Sequence, residues 1–395
     1  MPNVKKILMG AAGAGGGNEV YAWGRGNQGN LAQGGTDVNN SSSPVLIAGL
    51  SPSNFAFSGF NGFAIQDGNL YSWGNYSFGV LGDDGATVYP PGKRFAPPFA
   101  TVAGTQGFAK LSEGNGGFWF HAVKTDGTLW AWGDNTKGQL GDGTNVTKSS
   151  PVQIGALTDW GSTCKIRGSL DATTALKADG SLWAWGRNRF GALGVNQPGS
   201  GGTYDISSPV QIKTGVADFT VQRYGGALVT TSGELFTWGA GRKGLLGNST
   251  SGYVGIEKSS PIQIGALTDW SKLASVNSTI HCVKTDGTLW AWGAGTYGPN
   301  AGTNVSSPVQ IGALTDWATP DSNTDAYLGW CVKTDGTLWG WGMQKYGLFQ
   351  NAGIGTGDQT VNSPVQVGTQ THYGSPNKFK GAGGGRTVAR VMYIE

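Results

Sequence analysis

Apolar and polar positions alternate through Ala122-Val123-Lys124, break at Asp126-Gly127, and alternate again through Thr128-Leu129-Trp130-Ala131-Trp132. Period-two alternation on both sides of an Asp-Gly pair predicts a β-hairpin. The turn expected at such a pair has two central residues, both with positive φ. Gly133 ends the return strand, and a glycine-rich loop follows, Gly138-Gln139-Leu140-Gly141. Ser150-Pro151 then leads into Val152-Gln153-Ile154, another short strand; Pro151 has no N–H and suits a strand's first residue or its edge. Close copies of this succession begin at Cys282 and Cys331, weaker ones at Ala175 and Leu228. With no helical periodicity in any of them, each unit predicts about four short strands.

The units recur at a fixed period. Trp-Gly pairs stand at Trp23, Trp73, Trp132, Trp185, Trp238, Trp292 and Trp341, separated by 50, 59, 53, 53, 54 and 49 residues. Repetition at this spacing is the mark of a repeat architecture. The expectation is an all-β, seven-bladed β-propeller of four-stranded antiparallel blades over residues 18–395, with residues 1–17 as a flexible leader or tether. The first Trp-Gly, in Val20-Tyr21-Ala22-Trp23, lacks a preceding strand and turn. Thr387–Tyr393 at the other end of the chain reads as a strand and is expected to pair with residues 19–23, closing the ring and removing exposed sheet edges.

The pattern Asp-Gly-x-Leu-x-x-Trp-Gly, then Gly-x-Leu-Gly, then Ser-Pro-Val resembles the regulator of chromosome condensation repeat from residue 18 to 395. It is specific in the third, fourth, sixth and seventh units, and weaker around Asp67-Gly68 and in the fifth unit, where Ser232-Gly233 replaces Asp-Gly. The resemblance implies a propeller that acts through its loops. The family includes a plant ultraviolet photoreceptor, whose Gly-Trp-Arg-His-Thr signature is absent here, since Cys331 follows Gly329-Trp330. It also includes a bacterial β-lactamase inhibitor and a eukaryotic guanine-nucleotide exchange factor. The exchange activity would need an acidic, His-containing face and a basic tail, which the sequence does not show.

Composition narrows the choice of partner. Glycine accounts for 70 of 395 residues and charged residues for 13%, as in a turn-rich β-protein with a polar surface. A net charge of +3 gives no reason to expect nucleic acid or an anionic membrane as partner. No stretch approaches the roughly 20 apolar residues of a membrane-spanning helix. Cys164, Cys282 and Cys331 are an odd count without a close pair, and Cys282 and Cys331 share a repeat slot with Ala122 and Ala175. That slot reads as a small buried position rather than a disulfide site.

Candidate chemistry is sparse. His121 and His281 occupy one repeat position, filled elsewhere by Thr174, Ala227 and Trp330, which is the behaviour of a packed strand residue; His372 stands apart. Asp126, Asp179, Asp286 and Asp335 read as turn residues. Asp142-Gly143 and Asp83-Asp84-Gly85 lack the alternating carboxylates of a calcium loop. The expectation is therefore no enzyme, no cofactor and no metal. One set of positions is suggestive: the slot before the loop glycine holds Gln28, Phe78, Lys137, Phe190, Lys243, Tyr297 and Tyr346, with Arg187 and Arg189 nearby. Equivalent slots line one face of a propeller, where aromatic and basic side chains could hold a sugar or an anionic polymer. The longest loop adds Lys93, Arg94 and Phe95 as contact candidates. In the leader, Lys5, Lys6, Ile7 and Leu8 are the candidate anchor.

The leader, the charge-poor composition and the near-identical repeats 123–133 and 283–293 lead to a non-enzymatic structural or adhesion protein of a bacteriophage particle. It would be located on the virion, binding neighbouring capsid or tail proteins and a host-surface glycan or protein, with no nucleic acid and no membrane span. The alternative is a secreted or intracellular protein-binding scaffold or enzyme inhibitor acting through one propeller face.

Overall fold

The computed structural model describes residues 19–24, 41–46, 54–58, 61–74, 77–82, 100–101, 107–112, 117–169, 171–197, 204–251, 256–276, 278–294, 303–322, 328–344, 359–366, 379–382 and 389–394. They form seven four-stranded antiparallel sheets. Six are built from consecutive strands, spanning 54–101, 108–153, 165–213, 216–263, 270–310 and 317–366. The seventh joins the two ends of the chain. Glu19–Gly24 pairs with Ser41–Leu46 on one side and with Ala389–Ile394 on the other, in the register Tyr21↔Met392 and Trp23↔Arg390. The pairing expected from sequence is therefore present. The C-terminal end contributes two strands rather than one, since Phe379–Ala382 pairs in turn with Ala389–Ile394.

The expected turn type is corrected. In the 108–153 sheet, Gly127 N–H donates to Lys124 O at 3.0 Å and Lys124 N–H to Thr128 O at 3.0 Å. Gly127 has φ 79°, while Asp126 stays out of the positive-φ region. This is a three-residue loop ending in a left-handed bulge residue, not a two-residue turn. Among the described Asp-Gly pairs, only at Asp67-Gly68 are both residues left-handed, with φ 52° and 72°. Asp126 serves the bulged loop directly: its carboxylate accepts from Thr128 N–H at 2.9 Å and Thr128 Oγ1 at 2.6 Å, and Thr128 Oγ1 accepts from Trp130 Nε1 at 2.8 Å. The same relay runs Asp179-Ser181-Trp183, Asp286-Thr288-Trp290 and Asp335-Thr337-Trp339. These aspartates are the turn residues that the sequence suggests.

Successive sheets lock through the other end of the hairpin. Trp132 Nε1 donates to Val80 O at 2.8 Å, Trp185 to Gln139 O at 2.9 Å, Trp238 to Ala192 O at 2.9 Å and Trp292 to Leu245 O at 3.1 Å. Each acceptor is the second residue of the preceding sheet's Gly-x-Leu-Gly loop. The first glycine of that loop packs on the next sheet's Ser-Ser-Pro strand. A Cβ at Gly138 would stand 2.7 Å from Ser207 Cα, and one at Gly191 would stand 2.8 Å from Ser259 Cα. Backbone bonds complete the contact, from Gly143 N–H to Ser207 O and Asn196 N–H to Ser259 O, both 2.7 Å. Trp73, Trp132, Trp185, Trp238, Trp292 and Trp341 are buried, with Trp132, Trp185 and Trp341 fully so.

Replacing Trp132 by Phe removes this donor, leaves the buried Val80 carbonyl without it and opens a small cavity. The expected cost is about 2–4 kcal/mol. Trp130→Phe, at a half-buried position within its own sheet, should cost about 1 kcal/mol. Urea unfolding of the two variants checks the order; equal losses would contradict the importance of the seam.

Candidate functional site

The strand Leu129–Gly133 runs from the Asp-Gly turn to the Trp-Gly loop, so each sheet has two different ends. The Asp-Gly end is internally compensated. Lys177 is buried and pairs with Asp159 at 2.6 Å, with its ammonium 4.5 Å from the Trp160 ring centre and 4.9 Å from that of Trp183. Lys284 repeats this with Asp269, Trp270 and Trp290, and Lys333 with Asp316, Trp317 and Trp339. A buried ammonium needs a counter-ion, and the paired indole faces add to its stabilisation. Lys124 stacks on Trp130 and Phe108 in the same way. The sequence reading treated these tryptophans as packing and missed the lysine, although its position before Thr-Asp-Gly is as periodic as theirs.

The Trp-Gly end carries the slot residues. Phe78, Phe190 and Lys243 are all left-handed, with φ 59°, 59° and 56°, an uncommon backbone for non-glycine residues held here by the loop contacts beneath. Phe78 is 49% exposed and lies 5.2 Å from the Phe118 ring of the next sheet. Phe190 meets Tyr224 of its next sheet edge to face at 5.5 Å. Lys137 reaches Asp205 of the next sheet at 3.9 Å. Arg187 pairs with Asp171 at 2.8 Å and stands opposite Asp205 in the ladder. Partial burial of Asp205 raises its carboxyl above the usual range, against the pull of Lys137 and Arg187. Lys137 and Arg187 therefore belong to an inter-sheet charge network, whereas Arg189 is exposed. Tyr297, Tyr346, Gln28, Lys93, Arg94, Phe95 and the leader residues Lys5, Lys6, Ile7 and Leu8 lie outside the described residues.

A cluster missed by sequence reasoning sits beside Phe190. Arg223 and Tyr224 occupy the turn between Val216–Gln222 and Gly225–Thr230. The guanidinium carbons of Arg189, Arg223 and Arg242 lie 5.9, 5.2 and 5.6 Å from the Tyr224 ring centre. No repeat signal marks Arg223-Tyr224, because the pair recurs in no other unit.

His121, His281 and the three cysteines are accounted for by packing, and His372 lies outside the described residues. Cys164, Cys282 and Cys331 are buried free thiols, and burial pushes the Cys282 and Cys331 thiols up. His121 and His281 are buried, and desolvation lowers both to about 3 from 6.5. They use opposite tautomers. His121 Nε2 faces the Leu140 carbonyl at 3.2 Å and must carry hydrogen, whereas His281 Nε2 accepts Trp341 Nε1–H at 3.0 Å and must not. His281 thus does for Trp341 what a loop carbonyl does for Trp132, Trp185, Trp238 and Trp292. Among the described residues no group of three or more His, Cys, Asp and Glu could hold a metal, and no helix is long and apolar enough to cross a membrane.

Comparison with known proteins follows the repeats. The regulator of chromosome condensation (RCC1) repeat matches residues 18–56, 126–166 and 179–227. The ultraviolet-B receptor UVR8 of Arabidopsis thaliana is 31% identical over 259 residues, 63% of this chain and 54% of that protein. The E3 ubiquitin-protein ligase HERC2 of Homo sapiens is 26% identical over 288 residues, 70% of this chain and 6% of that protein. The chain thus spans about half of one relative and a small part of the other. Prp20p of Saccharomyces cerevisiae superposes with a TM-score of 0.72 at 16% identity, over 95% of this chain and 91% of that one. Human WBSCR16 gives 0.73 at 15%, over 96% and 99%. These structures share the all-β fold.

The buried histidines give stability a defined pH dependence. Both have folded-state values below the unfolded one, so stability is fully present above pH 6.5 and is lost as pH falls from there toward about 3. Well below the upper limit, each histidine should contribute a slope of about 1.4 kcal/mol per pH unit. The turn aspartates are held low by their Thr and Ser hydrogen bonds, so their losses come at more acid pH. Urea midpoints measured between about pH 7 and 4.5 should fall, and the double substitution His121→Gln, His281→Gln should flatten the profile. A flat wild-type profile would contradict the burial of both rings. Three segments of the chain, residues 18–56, 126–166 and 179–227, therefore carry sequence similar to the RCC1 repeat, and proteins with that repeat are similar to the chain over part of its length.

Proposed function

We propose that this protein is a non-enzymatic binding scaffold that recognises other proteins through its Trp-Gly end. One observation carries the reading: the loops at that end are fixed by the seams between sheets, yet present exposed Phe78 and Arg189 in the turns that follow their Trp-Gly pairs. Rigid presentation lowers the ordering cost of binding, and aromatic residues and arginine are the side chains that interfaces favour. Several relatives carry the same repeat within a named receptor and a named ligase, consistent with a module that supplies contacts. We further propose that the seven sheets close into a seven-bladed ring, with Glu19–Gly24 and Ala389–Ile394 as the clasp. The setting is the surface of a bacteriophage particle, with the propeller contacting neighbouring virion subunits or the host surface. Low charge, high glycine content and near-identical repeats 123–133 and 283–293 support that setting. Display in many copies would make individually weak contacts effective.

Mass spectrometry of purified particles, with copy number, tests the setting. Multiple copies per particle are expected; absence from particles would remove the virion reading and leave the scaffold reading standing. Deleting residues 387–395 tests the clasp. It removes a whole strand from one sheet, and the melting temperature should fall by several degrees or more; unchanged melting would contradict closure.

A further inference from the structure

We infer that Arg189, Arg223 and Arg242, gathered around Tyr224, form a docking site for a short acidic segment of a partner protein. The inference rests on the scaffold reading and names the partner's chemistry. The cluster lies where two sheets meet at their Trp-Gly ends: Arg189 and Phe190 come from the 165–213 sheet, and Arg223, Tyr224 and Arg242 from the 216–263 sheet. Tyr224 is the platform. Its half-buried ring is braced edge to face by Phe190 at 5.5 Å and receives three guanidinium groups within 6 Å.

Converging like charges repel, and stacking on one ring offsets only part of that cost. At the Asp-Gly end, three of the cations that lie at rings are neutralised. Lys177, Lys284 and Lys333 each have an aspartate within 3.2 Å. Arg189 and Arg223 are exposed, and neither is in an ion pair with a carboxylate among the described residues. The arrangement is complementary to carboxylates, which the guanidinium fork binds through two parallel hydrogen bonds. Phe190 and Tyr224 add apolar area for the neighbouring side chains of a peptide.

The charge distribution favours a peptide over a polymeric anion. A nucleic acid or sulfated glycan draws its affinity from a long run of phosphate or sulfate contacts. This chain carries 27 basic and 24 acidic residues and a net charge of only +3, which leaves a compact cluster rather than a track. Lys137 and Arg187, which would extend the cluster toward the preceding seam, are already engaged with Asp205 and Asp171.

The test is fluorescence anisotropy with a labelled oligoglutamate peptide and the full chain at low salt, with the glutamine counterpart, a heparin-derived oligosaccharide and a single-stranded oligonucleotide as competitors. The wild type should bind the glutamate peptide and not the glutamine one. The double variant Arg189→Ala, Arg223→Ala should lose at least about tenfold in affinity, from two charge-assisted contacts. Because both arginines are exposed, its melting temperature should match the wild type's. Lys272→Ala, at an exposed lysine outside the cluster, should bind as the wild type does. Unchanged binding in the double variant would overturn the site while leaving the scaffold reading intact. Stronger binding of either polymer, lost in the same variant, would overturn the acidic-peptide assignment.

Discussion

A carbonyl that points out of a Gly-x-Leu-Gly loop and meets the indole N–H of the next sheet holds this protein's units in register. A sheet of four strands cannot bury both of its faces alone, so each depends on a neighbour placed at a fixed distance and angle. The loop glycines allow the approach. Gly138 and Gly191 have φ of 73° and 70° and no room for a Cβ against the serine backbone opposite. The tryptophan then fills the space behind the loop and satisfies its carbonyl. Three sequence motifs that look independent, Trp-Gly, Gly-x-Leu-Gly and Ser-Ser-Pro, are parts of one contact between consecutive units. The sixth unit tests this reasoning from within. Gly298-Pro299-Asn300-Ala301 stands where Gly-x-Leu-Gly would be, and the indole of Trp341 donates to His281. The donor has to be satisfied because it is buried, and a neutral imidazole nitrogen accepts from it.

Much of this architecture was legible in the sequence because repetition amplifies weak signals. A single Asp-Gly between alternating residues is an ambiguous hairpin; several copies at one period are a fold. The pairing of the two chain ends was legible for the same reason, since the first unit lacked what the last segment supplied. The turn type was not. Asp-Gly suits both a two-residue turn and a bulged three-residue loop, and what decides between them is whether Thr125 joins the loop. The Thr128 hydroxyl, which bridges Asp126 and Trp130, favours the longer loop, and Asp67-Gly68, followed by Asn69 instead of Thr, keeps the shorter one. The extra strand Phe379–Ala382 escaped notice because Phe-Lys-Gly-Ala shows no alternation to read.

The candidate site was legible only in part, and the reason is geometric. Equivalence of position predicted that Phe78, Lys137, Phe190 and Lys243 share one end of their sheets, and they do, each at the first turn beyond a Trp-Gly pair. Equivalence could not show what each would touch. Lys137 faces an aspartate and Phe190 a tyrosine because the next sheet differs at those points, and a repeat pattern averages such differences away. Phe118 stands where Tyr224 does, but Gly117 precedes it and the Arg223-Tyr224 pair recurs in no other unit, so periodicity could not reveal the cluster. Features that make one unit unlike the rest carry the information about function, whereas features common to all carry the fold.

This division between common and particular runs along the length of each hairpin. At the Asp-Gly end, lysine, aspartate and two tryptophans recur almost unchanged, and Lys177, Lys284 and Lys333 each have an aspartate partner. Such an end is saturated: a ligand would have to displace contacts already made. At the Trp-Gly end the backbone is fixed just as firmly, by the loop seams, but the side chains above it differ from unit to unit and some charges have no described partner. A rigid base with variable, partly uncompensated side chains is the physical arrangement in which one end of a repeat protein can change its partners without disturbing its fold. The ring of Tyr224 gathers three guanidinium groups there, two of them on exposed arginines without a carboxylate partner among the described residues, which is why recognition should be sought at that point first.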